Sequence, residues 1–587
     1  MGEILTSAKY DVATYKILVE GTEVDPAYQL LSLSITKEIN RVPVAKIIFR
    51  DGDAAKETFE LSEQNYFIPG KKILINIGRD SVNTQAFIGI IIKHSIKVKA
   101  NGNSQLQIEC MDETVKMTIG RHSHYFENVK DNQVFDELIS KYKLKSDPQT
   151  TKLTHKELVQ HHISDWDFML LRAEANGMLV NVDDGSIKIL KPIIQPKEVL
   201  QINYGSSVLE FEAEMDARYQ YKNVNAQAWD YSNQQLFKAG TSSASFTEQG
   251  NISASDIADA ISPDKFEMHH SGHKLEQELQ DWVDGMMLRS RLAKIRGRAR
   301  FTGVAAIKPG DTVKISGVGK RFNGKAFVTA VRQDIGSGTW ETQIQFGLDP
   351  NRYAFLHNDM NDAASAGLVG AIQGLQIGKV VQLQNDPDGQ DRILVRIPVI
   401  DSNAQGIWTR VASLDAGNER GAFFRPEIDD EVIVGFINDD PRDAVVLGML
   451  NSSNKPAPIT AQDANDEKGF TTRSKMHLSF NDKTKTILID TPAGNSITID
   501  EQSMKIEILD QNQNKITMEA SGIKLESPLN IDIKAGGVLT LGAGVSLAIS
   551  GPSLSVKADT DVSIEGAMAK LSSSGITEIK GSMVKIN

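Results

Sequence analysis

The chain has one cysteine, Cys110, which excludes an intrachain disulfide framework and a cysteine-based zinc site. A single thiol is tolerated in any redox compartment and assigns none. No apolar run reaches the roughly 18 residues that a membrane-spanning helix needs. Cationic excess is lacking as well: 64 Lys and Arg stand against 76 Asp and Glu, a net charge of −12, whereas general nucleic-acid binding needs clustered cations to neutralise phosphates. From Met1 to Val12 no basic segment precedes an apolar one, so no secretory signal is expected. The chain has 21 Phe, 11 Tyr and 5 Trp, yet none lies after Phe480, which leaves everything from Asn481 to Asn587 without an aromatic ring. A segment that long without aromatics lacks the usual means of filling a globular core.

What is present points to several folded domains. The 587 residues correspond to about four domains, and a composition of 40% hydrophobic and 24% charged residues is not that of a disordered chain. Residues 1–365 read as mainly β with some helices. Tyr15–Val19, Lys72–Ile77, Phe87–Lys93 and Leu106–Cys110 are short runs rich in β-branched residues. Asp184-Gly185 between Met178–Val182 and Ser186–Leu190 predicts a hairpin. One helix is expected behind a cap at Asp131, with Val134, Phe135, Leu138, Ile139 and Tyr142 at helical spacing. A second follows Ser164, with Asp167 completing a weak capping box. A third runs from Leu275 to Lys294, with Leu279, Trp282, Val283 and Met286 as its apolar stripe.

The small, polar residues 357–373 read as a linker. In the block that follows, 373–455, five strands are expected: Gly378–Gln384, Arg392–Val399, Ile407–Val411, Glu431–Phe436 and Ala444–Leu450. Pro387-Asp388-Gly389 turns between the first two. Five short strands at this density fit a small barrel of the oligonucleotide/oligosaccharide-binding (OB) type. A second linker, Asn451–Glu467, leads to the last segment, 465–587.

That segment is a repeat. Apolar residues stand two apart, in pairs: Ile516/Met518, Ile523/Leu525, Ile531/Ile533, Leu539/Leu541, Leu547/Ile549, Leu554/Val556, Val562/Ile564, Ala569/Leu571, Thr577/Ile579 and Val584/Ile586. The pairs recur at a short, nearly constant interval, as the steps from Ile523 to Ile531 to Leu539 to Leu547 to Leu554 show. Glycines such as Gly522, Gly536, Gly544, Gly551, Gly566, Gly575 and Gly581 fall between them. A spacing of two puts both members of a pair on one face of a strand, and a period this short is the mark of a β-solenoid or β-prism. Each rung offers only two inward side chains, too little for a private core. Either the chain coils on itself or three chains wrap one axis. Medium aliphatics without rings suit a narrow axis shared by three.

At this point the motifs resemble a known family. GKVVQLQNDPDGQDRILVRIPV (378–399) and IWTRVASLDAGNERGAFFRPEIDDEVIVGFINDDPRDAVVLGMLN (407–451) resemble the barrel of VgrG-type spike proteins, found at the tip of type VI secretion systems and related contractile injection systems. SDWDFMLLRAEANGMLV (164–180) and residues 300–348 resemble the family's phage-hub-like region; TPAGNSITIDE (491–501) and VKIN (584–587) resemble the start and tip of its needle. The resemblance implies a homotrimer with a phage-hub-like region of β-barrel domains over 1–365, an OB-fold collar and a C-terminal trimeric β-helix or β-prism needle. The needle core would be Ile523, Leu525, Ile531, Ile533, Leu539, Leu541, Leu547, Ile549, Leu554, Val556, Val562, Ile564, Leu571 and Ile579. It implies tail-tube and baseplate partners at the hub, effector cargo, transient contact with a target membrane, and a PAAR-type tip protein at Val584, Ile586 and Asn587. The implied place of synthesis is the bacterial cytoplasm, with assembly into an injection apparatus and expulsion or release in a particle. The chain stopping at Asn587 is expected to leave no appended effector domain, and the 451–467 linker is too short for an inserted lysozyme. No catalytic residue, cofactor or metal is expected. A trimeric phage fibre or adhesin, and a spike with a hydrolase hidden in the hub, are the alternatives.

Several clusters invite other chemistry. His269, His270 and His273 form H-H-x-x-H, whose i and i+4 members can share a helix face and bind a metal, or simply open a solvated helix. His122 with His124, and His161 with His162, are weaker versions. Asp386, Asp388 and Asp391 begin like a calcium loop but lack its last glutamate, and Pro387 and Gly389 favour a hairpin turn. Gly317 and Gly319 are a fragment of a nucleotide-binding glycine motif with no helix after it. Arg289, Arg291, Lys294, Arg296, Arg298 and Arg300 are a basic run with only Phe301 near, expected to pair with acidic neighbours or to meet another tail component. Residues 373–456 carry 13 acidic and 8 basic residues, which argues against an oligonucleotide on the barrel.

Overall fold

The structure, a computed structural model, describes residues 3–4 (backbone only), 12–99, 104–206, 208–241, 247–261 and 264–586. The chain divides into two units, Met1–Met449 and Leu450–Asn587.

The first unit is mainly β. Strict alternation builds its first core: Val44–Arg50 and Gln105–Met111 pair so that Ala45 faces Cys110, Ile47 faces Ile108 and Phe49 faces Leu106, all six buried. Cys110 is a small apolar filler there, and burial pushes its thiol pKa up. The later strands close over this core, because Ala330–Ile335 pairs with Leu33–Glu38 and Trp340 packs into the same cluster. A second core uses the helices Asp131–Ser140 and Asp165–Ala175 and the hairpin Leu179–Asp183/Ser186–Leu190. The hairpin's Asp184 and Gly185 both have positive φ, 51° and 78°, the backbone a two-residue turn of that twist requires. A third core lies among Leu200–Asn203, Ile295–Thr302, Thr312–Ser316, Gly324–Gly336 and Thr339–Phe346. A fourth packs the helix Glu276–Leu292 on the strands Asn223–Asp230, Gln235–Gly240 and Lys265–His270.

Five strands, Gln376–Gln382, Ile393–Arg396, Ile407–Val411, Glu431–Phe436 and Ala444–Met449, form a closed barrel. Val380, Ile393, Val395, Val432, Val434 and Val446 fill it. The stretch read as a linker before it is pinned: Met360 is buried in the second core, the Ser365 hydroxyl donates to the Asp439 carbonyl at 2.9 Å, and Ile372 N donates to the same oxygen.

Three local expectations need correction. Asp131 is the first residue of its helix and Lys130 stands at the cap position, its N–H donating to Gln133 Oε1 at 2.9 Å; the Asp131 carboxylate is engaged by Arg172, His155 and Asn176. His269 and His270 end a strand, Lys265–His270, and the helix begins only at Glu276, so no helix face joins them to His273. The tail pairs after Leu525 belong to no strand of this chain: among the described residues the last is Gly522–Glu526.

Candidate functional site: the apolar face of the C-terminal unit

Seven strands, from Glu467–Thr471 to Gly522–Glu526, form one antiparallel meander in sequence order. Its register decides what each face carries. Leu478 pairs with Ile489, Phe480 with Ile487, Ile487 with Ile499 and Ile489 with Ile497. Ile497 then pairs with Ile508, Ile499 with Ile506, Ile506 with Met518, Ile508 with Ile516, Ile516 with Leu525 and Met518 with Ile523. Side chains of paired residues lie on the same side of a sheet, so from His477–Asn481 to Gly522–Glu526 one face is an apolar ladder, two side chains to a strand, and the first strand adds Phe470 beside Lys468.

The opposite face, apart from Leu488 and Leu509, is polar, and many of its charges are paired. Lys505 and Lys515 both reach Glu507, at 2.9 and 2.7 Å, Lys524 reaches Glu519 at 2.5 Å, and His477 reaches Asp490 at 3.1 Å. Hydrogen bonds from Lys515 and Lys505 hold the Glu507 carboxyl below its ordinary pKa. Among the described residues the apolar ladder has no full cover: Ile497, Ile499, Ile506 and Ile508 are each about two-fifths exposed, at 40–42%. Single apolar residues on a surface need no explanation, but a contiguous face marks an interface.

Of the expected core residues, the chain brings Ile523 and Leu525 onto this ladder, opposite Met518 and Ile516. Ile531, Ile533, Leu539, Leu541, Leu547, Ile549, Leu554, Val556, Val562, Ile564, Leu571 and Ile579 lie beyond the last strand, each more than half exposed. Val584 and Ile586 are exposed too, and Asn587 lies outside the described residues. Between residues 527 and 586 no strand-to-strand pairing occurs within the chain, so among the described residues the coiling of this stretch on itself does not occur. The ladder from Phe470 to Ile508 was not among the expected residues. Its signal was the same alternation, Ile487/Ile489, Ile497/Ile499 and Ile506/Ile508, hidden by a longer interval between pairs and by Phe470 and Phe480 in the preceding strands.

The other clusters resolve into structural roles. Asp386 accepts from Arg392 at 2.5 and 3.1 Å and from the N–H groups of Asp388, Gln390 and Arg392, which holds its carboxyl far below the usual range. Asp388 also pairs with Arg392, and Asp391 with Arg425. A guanidinium thus occupies the place a cation would take. His269 bonds Gln227 through Nδ1 at 2.7 Å, His270 bonds the Gly272 backbone, and His273 lies against the Tyr231 ring. No group of three or more His, Cys, Asp or Glu suited to a metal occurs among the described residues. Gly317 and Gly319 form a turn between strands. In the basic run, Arg289 pairs with Glu174 and Lys294 with Glu248, while Arg296, Arg298 and Arg300 meet Glu214, Glu212 and Glu210 across adjacent strands.

Comparison with known families now settles what this architecture is. Residues 9–337, more than half of the chain, match the Alg8 N-terminal domain. Residues 376–450 match the type VI secretion system/phage-baseplate injector OB domain, and residues 486–569 match the phage baseplate V C-terminal trimerisation domain. The chain belongs to the Alg8 N-terminal domain family and is built as a VgrG-type spike. The ladder from Ile487 to Leu525 lies within the residues that match the trimerisation domain, and the family matches support a structural spike role. No curated protein sequence matches it significantly. Among solved structures it is similar to the 43 kDa tail protein of prophage MuSo2 from Shewanella oneidensis, at 10% identity over 58% of this chain and 98% of that one, TM-score 0.44. It is similar to a component of the Escherichia coli type VI secretion system, at 11% identity over 74% and 99%, TM-score 0.36. It is also similar to a chain of the PdpA-VgrG complex of Francisella, at 11% identity over 89% and 80%, TM-score 0.35. TM-scores this low add nothing to the family matches.

Proposed function

We propose that the spike caps the tail tube of a contractile injection apparatus, and that contraction drives its C-terminal unit through a target envelope so that effector cargo follows. The observation that carries this reading is the two-faced sheet: an apolar ladder left half-covered in one chain, backed by a largely polar face many of whose charges are paired. Three such faces turned inward bury the ladder and present a largely polar surface outward, ion pairs and hydroxyls with Leu488 and Leu509 among them, suited to sliding through an envelope. Burial of a medium aliphatic is worth roughly 1.5–3 kcal/mol, so an inner wall made of three ladders is stiff, and stiffness is what the mechanical role needs. The pairs from Ile531 to Ile579 continue that wall as strands donated between chains, and Val584, Ile586 and Asn587 receive a PAAR-type tip protein. The hub binds tail-tube and baseplate proteins. The chain is made in the bacterial cytoplasm and is expelled, or released in a particle. The role is mechanical and calls on no cofactor.

The test is native mass measurement of the full chain, followed by pull-down of tail-tube protein from a lysate of the producing cell. A trimer that retains tube protein is expected. Ile533→Asp places three carboxylates at the axis with no partner and is expected to abolish the trimer or its resistance to SDS. A trimer that retains no tube protein would overturn the capping role and favour a fibre or adhesin.

A further inference from the structure

The barrel carries two exposed apolar features that nothing among the described residues covers. The first is a built loop between the strands Ile407–Val411 and Glu431–Phe436. It folds into a miniature hairpin, Ala416–Gly417 against Arg420–Gly421. Asp415 accepts from Arg420 at 2.6 Å and, through its carbonyl, from Ala422 N at 2.9 Å; the Ser413 hydroxyl bonds the Ala422 carbonyl. Gly421 has φ +136°, and a Cβ there would lie 2.3 Å from the Asp415 carbonyl oxygen, so only glycine closes this loop. Together these bonds hold Leu414 and Phe423 outward, 90% and 85% exposed.

The second feature is the outer face of three adjacent barrel strands. The alternation that sends Gly378, Val432, Val434 and Val446 inward sends Ile377, Ile433, Gly435 and Leu447 outward. A Cβ on Gly435 would lie 3.1 Å from Leu447 and 3.4 Å from Leu375, so the missing side chain leaves a shallow depression rimmed by two leucines. Leu375, Ile377 and Leu447 are about half exposed.

We propose that the occupant of this face is a second copy of the chain, with Leu414 and Phe423 of one barrel seated on the Leu375–Gly435–Leu447 depression of the next. The inference rests on the trimeric spike. A rigid loop that presents an aromatic anchor loses little entropy on docking, which is what the hairpin, the ion pair and Gly421 provide. The two features differ, so the contact is heterologous, and a heterologous contact forms a ring only if its rotation closes. The last barrel strand ends at Met449 and the C-terminal sheet, which continues into the trimerisation match, begins at Glu467, a short tether. The three barrels are therefore held at high effective concentration, where a small patch suffices, and a threefold axis is imposed on the ring.

The test is the full chain carrying Phe423→Cys together with Leu447→Cys. Under mild oxidation it is expected to give covalent trimers on a denaturing gel, while neither single variant does, since Cys110 is buried. The same sample is weighed under native conditions. A native trimer with no covalent link, or a disulfide within one chain, overturns the barrel contact and leaves the spike reading intact. Covalent dimers without trimers overturn it in favour of a twofold contact. A native monomer overturns both.

Discussion

Asp131 shows how much one carboxylate carries. It is buried, and burial would push its pKa up; hydrogen bonds from His155 at 2.9 Å and Arg172 at 2.7 and 3.0 Å, the Arg172 charge, and Asn176 at 2.9 Å hold it well below the usual range instead. A carboxyl depressed in the folded state contributes stability that is present above its unfolded pKa, about 3.9, and is lost as pH falls through the folded value. Unfolding monitored at Trp166, which packs in the same core, should therefore begin to move to lower denaturant below about pH 4. Asp131→Asn should cost about 3–5 kcal/mol near neutrality, because Arg172 is left without its partner; chemical denaturation at two pH values checks both statements. Helical spacing placed this helix correctly, but the role of Asp131 depends on His155, Arg172 and Asn176, too distant along the chain for a local pattern to reach.

Among the elements, the strands Val208–Met215 and Ile295–Thr302 are joined by charge as well as by backbone. Glu210, Glu212 and Glu214 stand opposite Arg300, Arg298 and Arg296, each on a half-exposed surface where an ion pair is worth well under about 1 kcal/mol. Arg298→Glu should turn attraction into repulsion against Glu210 and Glu212, both now within 3.6 Å of it, and destabilise the hub by about 1 kcal/mol. That loss should shrink as salt is raised past about 0.5 M, which a thermal melt at two ionic strengths reads directly. The spacing of two in both charge runs was legible in the sequence; their pairing across so long a stretch of chain was not. The barrel is bound by packing instead. Gly378 points inward, where a Cβ would lie 2.5 Å from Val395 and 3.0 Å from Val434, so Gly378→Val should overpack the barrel and cost about 1–3 kcal/mol, seen as an early transition in calorimetry.

For the molecule as a whole, the faces of the C-terminal sheet decide assembly. Thr498 and Ile499 are neighbours in sequence on opposite faces: Ile499 pairs with Ile487 and Ile506 on the ladder, Thr498 with Leu488 and Glu507 on the other side. Ile499→Asp should reduce the trimer to monomers in analytical ultracentrifugation, whereas Thr498→Asp should leave it intact. Trimers from both variants would place the contact elsewhere. Among the described residues, 527–586 have no strand pairing within the chain; in the proposed trimer their backbone groups would pair between chains.

Local periodicity was enough for the classes of element and the closed five-stranded barrel, because each rests on a repeat of two or 3.6 that a short stretch contains. Composition alone showed that no aromatic ring follows Phe480, which fits a core two aliphatics wide. Where the charges go was decided by the folded chain: Asp386 and Asp388 hold Arg392, five of the six cations of the basic run meet carboxylates, and His269 and His270 end a strand. Folding also extended the ladder back to Phe470, because a face is a property of register, and register is set by residues on the neighbouring strand.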